Sequence, residues 1–208
     1  MCNLYRLDQS TAEVGRLCEA VSSVGANTPA EVYPGYPGLV IAGGELRSMV
    51  WGFPLALKGK QGQQLTLKPV NNTRADKLDS SFWRTSFASR RCLIPLSAFA
   101  EAEGPKGKKT RTWLSLPDQP VFAIAGIWRP TEEWGPAYSM VMTEACLAMD
   151  GIHDHMPVVL PSDSVSQWLE GSPADARELC TPYSGPMAIK RTDQPWTQKA
   201  ELSSAGSN

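Results

Sequence analysis

An α+β domain built on an antiparallel sheet or distorted β-barrel, with short helices on its outside, is the fold class this sequence predicts. Three observations predict it. Runs of β-branched, aromatic and apolar residues alternate with turn signals through the second half of the chain. Seventeen Gly and seventeen Pro are spread along the 208 residues, which favours turns over long helices. At 42% hydrophobic, the chain can bury a substantial core. No repeat or composition break marks a second unit. One domain over 1–195 and a polar, disordered tail over 196–208 are therefore expected.

The elements follow in order. Ser10 and Glu13 form an S-x-x-E capping box, and Val14, Leu17, Cys18 and Val21 follow at helical spacing. They predict an amphipathic helix over 11–23. The Pro- and Gly-rich stretch 28–44 reads as a loop holding a short strand at 39–42. Residues 46–53 read as a strand, 59–64 as a polar turn and 65–70 as an extended segment. The latter leads into Asn71-Asn72-Thr73-Arg74, whose Asn-Asn step also suits a β-turn. A short helix is expected over 80–89. Strands are expected at 92–95, 110–116, 121–128 and 138–143. Helices follow at 164–170 and 173–179, the second with Pro173 at its first position. A last strand is expected at 187–190.

Composition narrows the class of protein. No apolar run approaches the roughly 20 residues needed to cross a bilayer. The start MCNLYRLDQS lacks a basic region followed by an apolar stretch, so a cytoplasmic protein with no membrane partner is expected. The five cysteines (2, 18, 92, 146 and 180) include no CxxC pair, which argues against a disulfide framework or zinc ribbon. Net charge is −1, but 84–111 carries seven Arg or Lys against Glu101 and Glu103. Such a stretch is either a phosphate-attracting face or a solvated loop.

Four places carry chemistry. Once Met1 is lost, Cys2 holds an α-amine and a thiol on one residue. An aldehyde can condense with the amine to an imine, on which the thiol closes a five-membered thiazolidine. An internal Cys cannot do this, because its nitrogen is in a peptide bond. Asn72 offers an amide to a polar group, and Arg74, two residues on, would share its face if the strand continues. Arg74 also offers a fork suited to phosphate. Glu101 ends an apolar stretch, where burial would raise its pKa into the range of a general acid or base. His153 and His155 are the only histidines and sit at i and i+2. A zinc site needs a third protein ligand that no spacing supplies, so no metal and no cofactor is read here.

Together these segments resemble the SOS-response-associated peptidase (SRAP) family. The resemblance runs from residue 2 to about 190. It rests on Met1-Cys2-Asn3-Leu4-Tyr5, Met49-Val50-Trp51-Gly52-Phe53-Pro54, Asn72-Thr73-Arg74 and Ser81-Phe82-Trp83-Arg84. It continues through Arg91-Cys92-Leu93-Ile94-Pro95, Phe99-Ala100-Glu101 and His153 with Met156-Pro157-Val158-Val159-Leu160. The order and spacing carry it more than any one motif. It implies an abasic-site processing protein that crosslinks Cys2 to abasic sites in single-stranded DNA, in the DNA-damage response. It also implies self-removal of Met1 as a peptidase activity, and leaves a lyase activity open. Asn72 would position the sugar-derived group, Glu101 would be the general acid/base, and His153 would bind the sugar side and shuttle protons. Arg74, Arg84, His155 and the Trp51-Gly52 region would contact DNA. A monomer is expected.

The chain departs from the family pattern at three places. Asn3-Leu4 stands where the family often has Gly-Arg, Ala102 where an aromatic usually follows the Glu, and His155 where an Arg is common. Two other readings remain open on the sequence. One is an N-terminal-nucleophile amidohydrolase, which also starts from Cys after Met removal. The other is a single-strand-binding domain with no covalent step.

Overall fold

The structure, a computed structural model, describes residues 2–17, 21–22, 29–63 and 65–197. Five strands close a barrel: Pro37–Ala42, Glu45–Trp51, Arg91–Leu96, Phe122–Thr131 and Gly135–Glu144. Four of the seams are antiparallel. The ring closes through a short parallel pairing of Val50 and Trp51 with Ala137 and Tyr138. A second, antiparallel sheet lies against it, ordered Ala188–Pro195, Thr110–Ser115, Ala98–Glu103, Tyr5–Arg6 and Glu31–Val32. The expected fold class is thus the one observed.

Alternation along the barrel strands decides what packs where, because successive side chains point to opposite faces. Val40, Cys92, Ile94, Ile124, Tyr138 and Met140 face one core, which also takes Tyr5, Phe99 and Leu114 from the second sheet. Leu39, Ile41, Leu93, Ala125 and Val141 face the other core, where Phe87 and Trp168 of the outer helices pack. The first core is therefore the glue between barrel and sheet. Leu4, Ala98, Ala100 and Trp113 form a smaller cluster with Trp196 on the sheet's other face. Trp196, assigned to the tail by the sequence reading, thus packs on this sheet; the tail from 198 onward lies outside the described residues.

Several elements differ from the expectation. The first helix spans only Thr11–Leu17, and Val21–Ser22 is a strand pairing in parallel with Glu45 and Leu46. Gly15 weakens the helix, and a β-branched residue such as Val21 favours a strand. The capping box of the helix is formed, with Ser10 N–H donating to Glu13 Oε2 at 3.0 Å and Glu13 N–H to Ser10 Oγ at 3.3 Å. The expected strand 46–53 breaks at Gly52, whose φ is 122° and whose Cβ would lie 2.5 Å from Pro69. After the break Phe53–Leu55 pairs with Lys68–Val70. Asn72–Arg74 is not a turn but a strand, parallel to Met140–Met142 of the barrel. The basic stretch also changes character. Arg91 is buried, donating to the carbonyls of Phe87, Trp168 and Gly171 at two helix ends. Arg111 is buried too, held by Glu31 at 3.0 Å. Neither can serve a phosphate-attracting face. No helix among the described residues is long and apolar enough to cross a membrane.

Candidate active site

Cys2 precedes the strand Tyr5–Arg6, which pairs with Ala98–Glu103 in the register Tyr5↔Phe99 and Arg6↔Ala98. Ala100 N–H donates to Leu4 O at 2.9 Å, carrying the pairing towards the chain start. This brings Cys2 beside Glu101. Two amides then hold Cys2 from the barrel side. Asn72 Nδ2 donates to the Cys2 carbonyl at 2.6 Å, and Asn71 Nδ2 donates to the same oxygen at 3.0 Å. The Cys2 thiol is wholly buried and donates to Leu4 O at 3.5 Å. Burial pushes its pKa up, and the nearby Glu101 carboxylate pushes it further.

Glu101 is 3% exposed, and burial raises its pKa to about 7, against the opposing pull of Lys109. A carboxyl at that value is half protonated near neutral pH. His153 Nε2 faces Glu101 Oε2 at 4.0 Å. Burial lowers the His153 pKa, so a proton shared between the two rests on Glu101. His153 Nδ1 lies 2.9 Å from the His155 N–H and 3.1 Å from the His155 carbonyl, so the same backbone residue can serve it as donor or as acceptor, and Nε2 is the ring nitrogen turned towards Glu101. Within this cluster Glu101 Oε1 and Asn72 Oδ1 are buried and have no hydrogen-bond partner among the described residues. Buried polar atoms left so cost about 1–3 kcal/mol each, a cost that active sites accept for a ligand to recover.

The four residues expected to carry chemistry, Cys2, Asn72, Glu101 and His153, therefore meet at the seam between barrel and sheet. The DNA-contact set divides. Arg74 and His155 line one cleft of about 290 Å³. Each lies two residues along the chain from a member of the cluster, Asn72 or His153. Asp76 and Glu144 line the same cleft, and Arg74 is already forked onto Asp76 at 2.9 and 3.1 Å. Arg84 is exposed at the start of the helix Arg84–Ser89, and no described contact ties it to the cluster.

Trp51 needs correcting. It is wholly buried, edge-on to Tyr5 at 5.1 Å, so its ring has no free face for a base. Instead its Nε1–H donates to Asn71 O at 2.9 Å, beside a second donation from Met140 N–H at 2.9 Å. Trp51 thus holds the backbone of the Asn71-Asn72 clamp. Gly52 is likewise buried, its N–H given to Tyr138 O at 2.7 Å.

Two features escaped the sequence. Asn71 shares the grip on Cys2, for which the Asn doublet was the available signal. Tyr5 and Tyr138 join hydroxyls at 2.5 Å in the core below the site. Gly38 makes the room, since a Cβ there would lie 2.1 Å from the Tyr138 hydroxyl oxygen and 2.2 Å from that of Tyr5. No signal in the sequence marked that pair. Among the described residues, no group of three or more His, Cys, Asp and Glu could hold a metal ion.

Comparison with known proteins identifies relatives of the chain and of its fold. The abasic site processing protein YoqW of Bacillus subtilis (strain 168) is 32% identical over 152 residues, which cover 67% of this chain and 64% of YoqW. The abasic site processing protein YoaM of the same organism is 32% identical over 151 residues, covering 67% and 63%. The match thus spans slightly less than two thirds of these relatives. Among solved structures, a Bordetella bronchiseptica protein superposes with a TM-score of 0.77 at 22% identity, covering 92% of this chain and 99% of that one. A Bacteroides thetaiotaomicron protein does so with a TM-score of 0.76 at 19% identity, covering 91% of each. At those identities the structures carry the fold alone. The family model described as SOS response associated peptidase (SRAP) matches residues 1–194, and the chain belongs to that family.

Proposed function

We propose that this protein processes abasic sites in single-stranded DNA by capturing them covalently at Cys2, as part of a response to DNA damage. The observation that carries the reading is the grip on Cys2: two amide donors on its carbonyl, beside a buried carboxyl with an unpartnered oxygen. A residue whose nitrogen and sulfur must both react has to be held by its carbonyl. The names of the relatives YoqW, YoaM and YobE point the same way.

The chemistry starts with loss of Met1. Water hydrolyses the Met1–Cys2 peptide bond, releasing methionine and freeing the Cys2 amine. Glu101 and His153 are the groups at hand to activate that water, which makes the step a self-processing peptidase reaction. The ring-opened abasic sugar then presents an aldehyde. The amine adds to it, and Glu101, protonated near neutral pH, gives its proton to the departing hydroxyl. Water leaves and an imine remains. The Cys2 sulfur adds to the imine carbon, its proton passes to Glu101, and the nitrogen takes up a proton, which closes the thiazolidine. Closure removes the imine and so competes with β-elimination of the 3′ phosphate, the route a lyase would follow. Asn72 Oδ1 is the acceptor for a sugar hydroxyl, and the His153 imidazole faces the same side through Nε2. The cleft of Arg74 and His155 takes a neighbouring phosphate, once Arg74 exchanges Asp76 for it. Flexible single strands suit such a site, because their bases are already unstacked.

The test is an adduct that survives denaturation. Protein confirmed by mass to begin at Cys2 is mixed with a single-stranded oligonucleotide bearing one abasic site and run on a denaturing gel. A shifted band that is absent with Cys2→Ala is the expected result. Absence of the band with the processed protein would refute covalent capture. An ammonia-release assay with glutamine would then test the amidohydrolase alternative.

A further inference from the structure

We propose that the lysine hairpin between the strands Ala98–Glu103 and Thr110–Ser115, together with Trp196, is a second contact for single-stranded nucleic acid flanking the reactive pocket. The inference rests on the reading above for its ligand and on separate residues for its site. The hairpin is a built turn. Lys108 N–H donates to Pro105 O at 3.0 Å, and Gly107 takes the positive φ of 84° that the turn requires. It presents Lys106, Lys108 and Lys109 to solvent.

Many of the other cations are already paired. Arg6, Arg47, Arg74, Lys77, Arg111, Arg177 and Arg191 each meet a carboxylate. Among the described residues, none of the three hairpin ammoniums does. In a chain of net charge −1 they form a local cationic patch at the tip of one hairpin.

An aromatic surface stands beside them. The Trp196 backbone N–H donates to Lys109 O at 2.8 Å, which ties the chain at this residue to the hairpin. The ring is half buried on the Leu4 and Trp113 cluster, and it lines a cleft of about 340 Å³ with Lys108, Lys109 and Thr110. Ammoniums for phosphates beside an anchored ring for a base are the pairing that holds single strands without reading sequence. The patch also adjoins the reactive pocket. Lys109 Nζ donates to the carbonyl of Ala102, the residue after Glu101, at 3.4 Å. A strand whose sugar sits at Cys2 therefore has its next nucleotides within reach of the hairpin on one side. The Arg74 and His155 cleft lies where the strand Asn72–Arg74 leaves the cluster.

The experiment measures binding apart from chemistry. A fluorescein-labelled oligothymidine without an abasic site is titrated by polarisation at several salt concentrations. The full chain is compared with the double variant Lys108→Gln and Lys109→Gln, both exposed positions whose change spares the core. Each phosphate contact on a single strand contributes about 0.7 to the slope of log affinity against log salt. The double variant is expected to lose about 1.4 from the slope and to bind about tenfold more weakly at low salt. Trp196→Leu is expected to weaken binding several-fold with the slope unchanged. Equal slopes for wild type and double variant would overturn the proposal. So would polyglutamate competing as well as the oligothymidine at matched charge, which would make the patch a site for acidic peptide. If the slopes differ but no abasic adduct ever forms, covalent capture fails and this contact stands. If adducts form and the slopes coincide, the reverse holds.

Discussion

Replacing Glu101 by Gln separates what this carboxyl costs the fold from what it does for chemistry. Burial raises its pKa from 4.5 to about 7, so the folded protein holds the proton more tightly than the unfolded chain. Between those two values the native state binds more protons, and stability must fall as pH rises through the window. At about 1.4 kcal/mol per tenfold change in proton affinity, the ionised carboxylate destabilises the native state by about 3 kcal/mol above pH 7. That cost is absent near pH 4. The amide of the Glu101→Gln variant cannot ionise and has no such dependence. The assay is urea unfolding of both proteins at pH 4.5, 6 and 8, with attention to the difference between them. Any fixed cost of burying the amide cancels when that difference is followed along pH. The expected result is a variant that gains about 3 kcal/mol relative to wild type between pH 4.5 and 8. Its rate of adduct formation should meanwhile fall by a factor on the order of 10² or more at pH 7, with the wild-type pH limb near 7 gone. Parallel stability curves would refute the reasoning, since Glu101 would then ionise as it does in water.

Four further outcomes follow from the same geometry. Trp51→Phe removes the donation to Asn71 O, and should cost about 1 kcal/mol of stability by urea unfolding. It should slow adduct formation while leaving affinity for unmodified single strands unchanged; a loss of affinity would restore a base-contact role for the ring. Asp76→Asn frees the Arg74 fork, and polarisation at low salt should show single strands binding several-fold tighter. His155→Arg should do the same, because it places a permanently charged fork suited to phosphate in the same cleft. Gly38→Ala forces a methyl to within 2.2 Å of two tyrosine oxygens, so a loss of about 3 kcal/mol or more is expected in denaturant unfolding.

The barrel was legible because its strands alternate in the sequence as they do in space. Leu39–Ala42 and Arg91–Leu96 carry apolar residues to both faces, and both faces are covered. Ala98–Glu103 was not legible as a strand. Ala and Glu have low strand preference, and only pairing with neighbours on both sides makes Ala-Phe-Ala-Glu-Ala-Glu extended. The sequence left a continued strand and a β-turn both open at Asn71-Asn72 for the same reason: a parallel partner 68 residues later decides for the strand. Cys2, Asn72, Glu101 and His153, which the structure brings together, were singled out through the residue types that imine chemistry needs and through the family resemblance. Trp51 was misjudged although the pattern held a clue, since Met49 and Trp51 share one face of their strand and both are buried. The grip of Asn71 on Cys2 crosses 69 positions, and no local pattern encodes such a contact.

The location of the cluster explains how a chain start can be held well enough to react. Terminal residues fray unless something ties them down. Here Cys2 and Glu101 belong to the sheet, while Asn71, Asn72 and His153 come with the barrel strands, so the site exists only while the two are docked. Tyr5 enforces the docking three residues after Cys2, through its hydroxyl pairing with Tyr138 and its edge contact with Trp51. Trp51 in turn steadies the amides that grip Cys2. The reactivity proposed for Cys2 would then come from position and not from an acidic thiol, because burial and Glu101 both hold its sulfur protonated. A thiol in that condition is a poor first attacker. Under the proposed function this sets the order of events: the amine would strike the aldehyde first, and Glu101, having spent its own proton on the departing hydroxyl, would become the base that the sulfur needs for closure.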